Sequence, residues 1–212
     1  IGRAIVHRLV ERGARVSVVA RDDEYMESLR SERLEGVTTA VADVSDPEQV
    51  DAALTAFETM HGPIDLLITC AGIVLPGYFQ DLPAEEFERD MAVNYFGTLH
   101  AIRRVTPGMI ERGSGTIVSI SSTAGLIPVF GYTAYGPSKY AVRALGEILR
   151  TELKPHGIHV ACVFPSDVDT PQLAFEAPHK PPELIRISGT VKPIPPERVA
   201  DAVLRGIEKR RA

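Results

Sequence analysis

The 212 residues fit one α/β domain, and a hydrophobic fraction of 44% with a mean hydropathy of +0.01 suits a packed globular core. A net charge of −5 weighs against nucleic acid as the main partner, because phosphate binding needs a basic face. The two cysteines, Cys70 and Cys162, each lie in an apolar run, which argues against a disulfide framework and for a reducing, cytoplasmic setting.

The chain opens in helical pattern. Ile5, Leu9 and Val10 form an apolar stripe that stops at Gly13. This start, already inside a helix, carries the expectation that further residues precede Ile1 and follow Ala212. Residues 14–20 read as a buried strand, 22–34 as a charged surface helix and 38–43 as a second strand. Ser45 then caps a helix that runs to about His61, with Glu48 three residues on. Residues 65–70 form an apolar strand, and 84–112 one long helix. Strand 115–121, helix 133–154 and strand 158–164 follow. Residues 171–193 are Pro-rich and read as irregular, and a last helix spans 195–211. Its cationic end, Lys209-Arg210-Arg211, suits a helix C-terminus.

Strands and helices alternate along a single domain, and the strands are near-continuous runs of Val, Ile and Leu. That is the pattern of a doubly wound parallel sheet flanked by helices. In such sheets ligands bind at the carboxyl ends of the strands, so chemistry is sought there. No run is long enough to span a membrane, and no metal site is expected.

Three features stand at those ends. Tyr135 and Lys139 are four residues apart, hence on one helical face, where a cation favours the phenolate and makes the phenol a usable acid or base. The same spacing is common in plain surface pairs. Ser122 follows a strand and could hydrogen-bond a substrate carbonyl or merely turn the chain. Asn94 sits inside a helix, against its propensity and next to Gly97, a local conflict that marks either a functional site or a helix flaw.

Taken together, Cys70-Ala71-Gly72, Asn94-Tyr95-Phe96-Gly97, Ser122, Tyr135-x-x-x-Lys139 and Pro165-Ser166-x-Val168-x-Thr170 resemble the short-chain dehydrogenase/reductase pattern in order and spacing. The resemblance implies a Rossmann-type enzyme that moves a hydride between a nicotinamide cofactor and a carbonyl or alcohol. It makes Tyr135 the general acid/base and Ser122 the holder of the carbonyl oxygen. Lys139 binds the nicotinamide ribose and lowers the phenol pKa, and Asn94 holds a water of the proton relay. Ala71, Gly72, Pro165, Val168 and Thr170 border the cofactor, the last two at its carboxamide. Of the family's Thr-Gly-x-x-x-Gly-x-Gly motif, Ile1-Gly2 match the last two positions. Cys70 and Ser166 stand where Asn and Gly are usual.

The strand at 14–20 ends without the acid that would accept the 2′-hydroxyl of NAD. Arg21 follows it and Arg3 follows Gly2, two guanidinium groups suited to a 2′-phosphate, so NADP(H) is the expected cofactor. By resemblance, Asp43 and Val44 meet the adenine. The loops around the nicotinamide are apolar, with Leu75, Leu126, Phe130, Leu173 and Phe175 among them, which favours a bulky or lipid-like ketone. Residues 130–135, 152–155, 165–171 and 180–188 are similar to 3-ketodihydrosphingosine reductases. That likeness implies reduction of 3-ketosphinganine with NADPH, a homodimer or homotetramer, and peripheral membrane contact. The alternatives are a reductase for a steroid, a 3-oxoacyl chain or a small ketone, and a non-catalytic binding protein.

Overall fold

Alternation along the strands sorts the core onto two faces. In the central strand β4 (Gly115–Ile120), Ile117 packs into one buried cluster while Val118 and Ile120 pack into another. In β5 (Ile158–Val163), Ile158 and Val160 join the first cluster and Ala161 and Val163 the second. In β3 (Leu66–Thr69), Leu67 faces one way and Leu66 and Ile68 the other. The first face is covered by α3 (Pro47–His61), α5 (Gly97–Arg112) and α6 (Tyr135–Leu153), through Phe57, Met109 and Leu153 among others. The second is covered by α1 (Gly2–Val10) and α9 (Pro196–Glu208), through Ile5, Val199 and Val203. This is the doubly wound α/β arrangement expected from the sequence.

The remaining elements are β1 (Val16–Ala20), α2 (Asp23–Ser31), β2 (Val37–Val41), α4 (Ala84–Asp90), α7 (Pro171–Glu176) and α8 (Pro182–Ser188). The structure is a computed structural model that describes residues 1–189 and 192–210. Residues 190–191 of the stretch expected to be irregular, and the expected helix end at Arg211, lie outside the described residues.

Four details differ from expectation. The strands form two parallel sheets, β1-β2 and β3-β4-β5, because no described strand pairs with both β1 and β3. The two sheets still share a core, since Val19 and Ala40 pack with Leu67 and Ile117. Most of 171–189 is helical, in α7 and α8, because its prolines sit in first turns, where a missing N–H costs nothing. Asp46 rather than Ser45 caps α3, accepting from the N–H groups of Glu48 at 2.9 Å and Gln49 at 3.2 Å. Ser45 is drawn instead to the charged acceptor Asp43, at 2.6 Å.

The fourth difference positions the site. The helical backbone from 84 to 112 is continuous but widens into a π turn at Met91–Phe96, between α4 and α5. The widened turn carries Asn94 inward and is followed by Gly97, which packs so close to the loop after β2 that a Cβ there would lie 2.7 Å from Val44 Cγ2. Gly97→Ala is therefore expected to lower stability by about 1–3 kcal/mol, as overpacking does, measured by urea unfolding. Unchanged stability would contradict this close approach.

Candidate active site

Parallel pairing brings the carboxyl ends of β3, β4 and β5 to one side, and the sequence-named residues follow those ends. Asn94 is fully buried there. Its Oδ1 accepts the Ile73 N–H at 2.8 Å, and its Nδ2 donates to Ile73 O at 3.0 Å and to Ser138 Oγ at 2.9 Å. Ser138 Oγ in turn donates to the Tyr135 carbonyl at 2.7 Å. One amide thus ties the loop after β3 to the first turn of α6. Both N–H donors of this amide serve protein groups, and its backbone carbonyl accepts from Thr98 Oγ1 at 2.9 Å, so a water of the expected relay would meet Asn94 at one of its oxygens.

α6 begins at Tyr135, so Tyr135 and Lys139 lie one turn apart, both buried. Lys139 Nζ donates to Ile120 O at 3.2 Å and sits 5.6 Å from the centre of the Tyr135 ring. Burial pushes the Lys139 ammonium down to about 8. The Tyr135 phenol is not lowered as expected. Burial raises it, a hydrogen bond with Ser122 opposes the rise, and the charges of Glu176, Asp90 and Asp167 add to it. The main reason is that the phenol is buried, and Lys139 Nζ is engaged with Ile120 O at the end of β4. Ser122 Oγ also accepts the Ala124 N–H at 3.1 Å, so it turns the chain and meets the phenol at once.

Close approach shapes the rest. A Cβ on Gly72 would lie 3.2 Å from Asn94 Oδ1 and 3.3 Å from Lys139 Nζ, so a side chain there would crowd both. A Cβ on Gly125 would lie 2.7 Å from Ser121 Oγ and from Lys139 O, which holds the turn after β4 against α6. A cavity of about 300 Å³ lies beside Gly72, lined by residues 72–75, Glu86, Arg89, Pro171, Gln172 and Phe175. Of the apolar residues named from the sequence, Leu75 and Phe175 line it, whereas Leu126 and Phe130 are exposed outside it.

The residues expected at the cofactor are placed as follows. Gly2 opens α1 beside Cys70, whose Sγ would lie 3.6 Å from a Cβ on Gly2, and Ile1 packs on the second core face. Ala71 and Gly72 follow β3 directly. Arg3 is committed within the protein. Its Nε donates to Glu32 at 2.7 Å, its Nη2 to Ser28 Oγ at 3.0 Å and to Glu32, and it covers the Tyr25 ring. The end of α2 brings these partners to it, which leaves Arg21 as the freer cation. Arg21 is 61% exposed and 3.7 Å from Asp43 Oδ2. The Ser45 hydroxyl and N–H, with Arg21 farther off, hold the Asp43 carboxyl below its usual range. Val44 packs at Gly97, and Pro165 O accepts the Thr123 N–H at 2.9 Å. The Val168 side chain is in the core, and Thr170 caps α7 by accepting the Leu173 N–H at 3.4 Å.

A family profile described as short chain dehydrogenase matches residues 1–180. The chain belongs to the short-chain dehydrogenase family. Among its relatives in that family is a bovine (Bos taurus) 3-ketodihydrosphingosine reductase, 38% identical over 213 residues, which cover 97% of this chain and 64% of the relative. The chain therefore spans about two thirds of that relative's length. Solved short-chain dehydrogenase structures share its fold. A 3-ketoacyl-(acyl-carrier-protein) reductase from Brucella melitensis, complexed with NADH, gives a TM-score of 0.87 at 27% identity over 97% of this chain and 85% of that one. A gluconate 5-dehydrogenase from Burkholderia cenocepacia, in complex with NADP and tartrate, gives 0.72 at 28% identity over 80% and 68%.

Sequence reasoning gave no role to four of five further residues at this site and weighed the other, Ser121, only together with Ser122 as a strand-end hydroxyl. Ser138 lay inside the quoted Tyr-x-x-x-Lys run without a role, and Ser121 donates to Lys139 O at 2.9 Å. Tyr132 stacks edge-on against Tyr135 with ring centres 5.3 Å apart, and its hydroxyl donates to the buried Glu176 at 2.6 Å. Asp90 is the fifth. The positions of Ser138, within the motif, and of Ser121, at the strand end beside Ser122, offered signals in the sequence. Asn94→Ala should lower stability by about 2–3 kcal/mol, because it strands the N–H and carbonyl of Ile73, and thermal or urea unfolding checks this. A loss under 0.5 kcal/mol, the scale of an ordinary surface change, would mean that this tie does not hold the loop.

Proposed function

We propose that this chain reduces an apolar ketone to a secondary alcohol with NADP(H), with 3-ketosphinganine to sphinganine as the leading substrate. The observation that carries the reading is the meeting of the Ser122 hydroxyl and the Tyr135 phenol at the end of β4, with buried Lys139 one turn away. The bovine relative supplies the substrate, since it is a 3-ketodihydrosphingosine reductase.

The residues present fit a dinucleotide. Gly72 leaves room next to Asn94 and Lys139 that a side chain would fill, and the N-terminus of α1 favours negative charge. Gly2, Ala71, Gly72, Lys139, Pro165 and the backbone at Val168 and Thr170 would hold the nicotinamide half. Asp43 and Val44 would hold the adenine. Exposed Arg21 suits a 2′-phosphate, with Arg3 able to join only by leaving Glu32. When bound, the reduced cofactor supplies a hydride to the carbonyl carbon.

The chain's own residues do the proton work. Ser122 donates a hydrogen bond to the carbonyl oxygen and polarises it. Tyr135, kept as a neutral phenol by burial, gives its O–H proton to that oxygen as negative charge develops there. Lys139, whose pKa burial brings down to about 8, stands close enough to restore the proton near neutral pH. Asn94 and Ser138 hold Tyr135 and Lys139 in place. An alkyl chain would leave the cavity at Phe175 and run over the exposed Leu126 and Phe130. The modest cavity of about 300 Å³ favours a second reading, a shorter ketone held without that extension. Self-association through α5 and α6, where Ile110, Tyr140 and Ile148 are exposed, and contact of the apolar rim with a membrane belong to the same proposal.

Tyr135→Phe in the full-length protein tests the reading. The ring and its packing on Tyr132 stay, so NADPH binding by fluorescence titration should be unchanged. Ketone-dependent NADPH oxidation should fall by about 100-fold or more, the usual worth of a general acid. Turnover within a few-fold of wild type would sink the assignment.

A further inference from the structure

The cavity beside Gly72 has apolar walls at Val74, Leu75 and Phe175, yet two charged side chains, Glu86 and Arg89, line it from α4. They are three residues apart on one side of the helix, and Arg89 Nη1 donates to Glu86 Oε1 at 3.2 Å. The two do not sit alike. The Glu86 side chain is 17% exposed and that of Arg89 52%, so the carboxylate is the inner charge and the guanidinium the outer one. An exposed pair of this kind adds little to stability, so stability does not account for an acid set against an apolar wall.

The same cavity borders the acid. Val74, one of its walls, packs with Tyr135 in a buried cluster. Gln172 and Phe175 line it from α7, the helix whose Glu176 accepts from the Tyr132 hydroxyl while the Tyr132 ring rests on Tyr135. A ketone whose oxygen lies between Ser122 and Tyr135 therefore has the atoms next to its carbonyl at this cavity. A volume of about 300 Å³ takes a short head group, while a long chain must leave it past Phe175.

We propose that Glu86 selects the substrate by holding an ammonium group on the carbon beside the ketone, which makes the cavity the head-group site of a 2-amino ketone. This rests on the reductase reading of the site, and it names the residue that separates amino ketones from steroids, 3-oxoacyl chains and plain ketones. A carboxylate offers about four acceptor sites and the bond from Arg89 takes one, so Glu86 can receive an ammonium N–H and keep its partner. An ammonium entering an apolar cavity needs such a partner, because a desolvated charge without one is costly. Gln172 is the third polar side chain on the wall. Its amide bonds Glu176 through an N–H, which leaves its carbonyl oxygen to accept a second N–H or a neighbouring hydroxyl of the head group. A steroid or a 3-oxoacyl chain brings no cation to either acceptor.

The test compares two ketones of equal chain length on the full-length protein with excess NADPH. One is a 2-amino-3-ketone, at a pH where its amine is protonated, and the other is its 2-hydroxy analogue, in which a neutral hydroxyl replaces the ammonium. The ratio of their kcat/KM values is the readout. Wild type should favour the amino ketone by about tenfold or more, the scale of one charge-assisted hydrogen bond. Glu86→Gln, which keeps the shape and removes the charge, should lower the ratio about tenfold, and Glu86→Asp should keep most of it. Arg89→Gln removes the competing cation and should raise the ratio. Loose packing of α4 would slow both ketones together and leave the ratio where it was. A wild-type ratio near one, a ratio that Glu86→Gln leaves unchanged, or one that Arg89→Gln does not raise would overturn the proposal while the reductase reading stands. The wild-type and Arg89→Gln ratios decide it even where Glu86→Gln does not fold. A wild type that reduces neither ketone overturns the reductase reading, and the role of Glu86 with it.

Discussion

The Asn94 amide is the interaction on which the site depends. It satisfies both backbone groups of Ile73 and reaches Ser138, so one buried side chain joins the loop after β3, the widened helical turn and the start of α6. None of these three segments could move without breaking hydrogen bonds of a fully buried amide. The π turn is the backbone's answer to that demand, since it brings Asn94 inward without ending the helix. Gly97 and Gly72 make the same demand in steric form, each sitting where a side chain would push the segments apart.

Burial then sets the chemistry. Tyr135 and Lys139 move in opposite directions for one reason, the cost of holding either charge out of water. The result is a neutral phenol beside an amine that titrates near neutral pH, a pair suited to proton transfer. The substrate side of the site is joined to this pair. Tyr132, packed on Tyr135, is bonded to Glu176 of α7, and Glu176 lies 3.8 Å from Lys180, which lies 3.9 Å from Asp167. Helix α7, which borders the cavity, is thus anchored to the segment that leads into Tyr135.

Much of this was legible in the sequence. The order of strands and helices followed from hydrophobic pattern, and Asn94, Ser122, Tyr135 and Lys139 stood out together through their resemblance to the short-chain dehydrogenase/reductase pattern, with the structure gathering all four. What was not legible depended on tertiary contact. Arg3 reads as a free cation until α2 is seen to bring Glu32 and Ser28 against it. Prolines made 171–189 look irregular, though Pro171 and Pro182 begin helices. Asp90 and Glu176 read as surface acids within charged helices, and only packing reveals that both are buried. The rise of the phenol was not legible because a four-residue spacing fixes a shared face but not the burial that outweighs a nearby charge.

The proposed reaction requires a ketone bound between Ser122 and Tyr135 with its alkyl chain laid over apolar side chains. The most direct measurement is kcat/KM for a ladder of 3-keto-2-amino alcohols of rising chain length, below their micelle thresholds, with full-length protein and excess NADPH. Each methylene that the protein buries is worth up to about 0.8 kcal/mol, so kcat/KM should rise by as much as roughly fourfold per carbon until the apolar surface ends. A flat profile, or a preference for the shortest ketones, would contradict a lipid-like substrate.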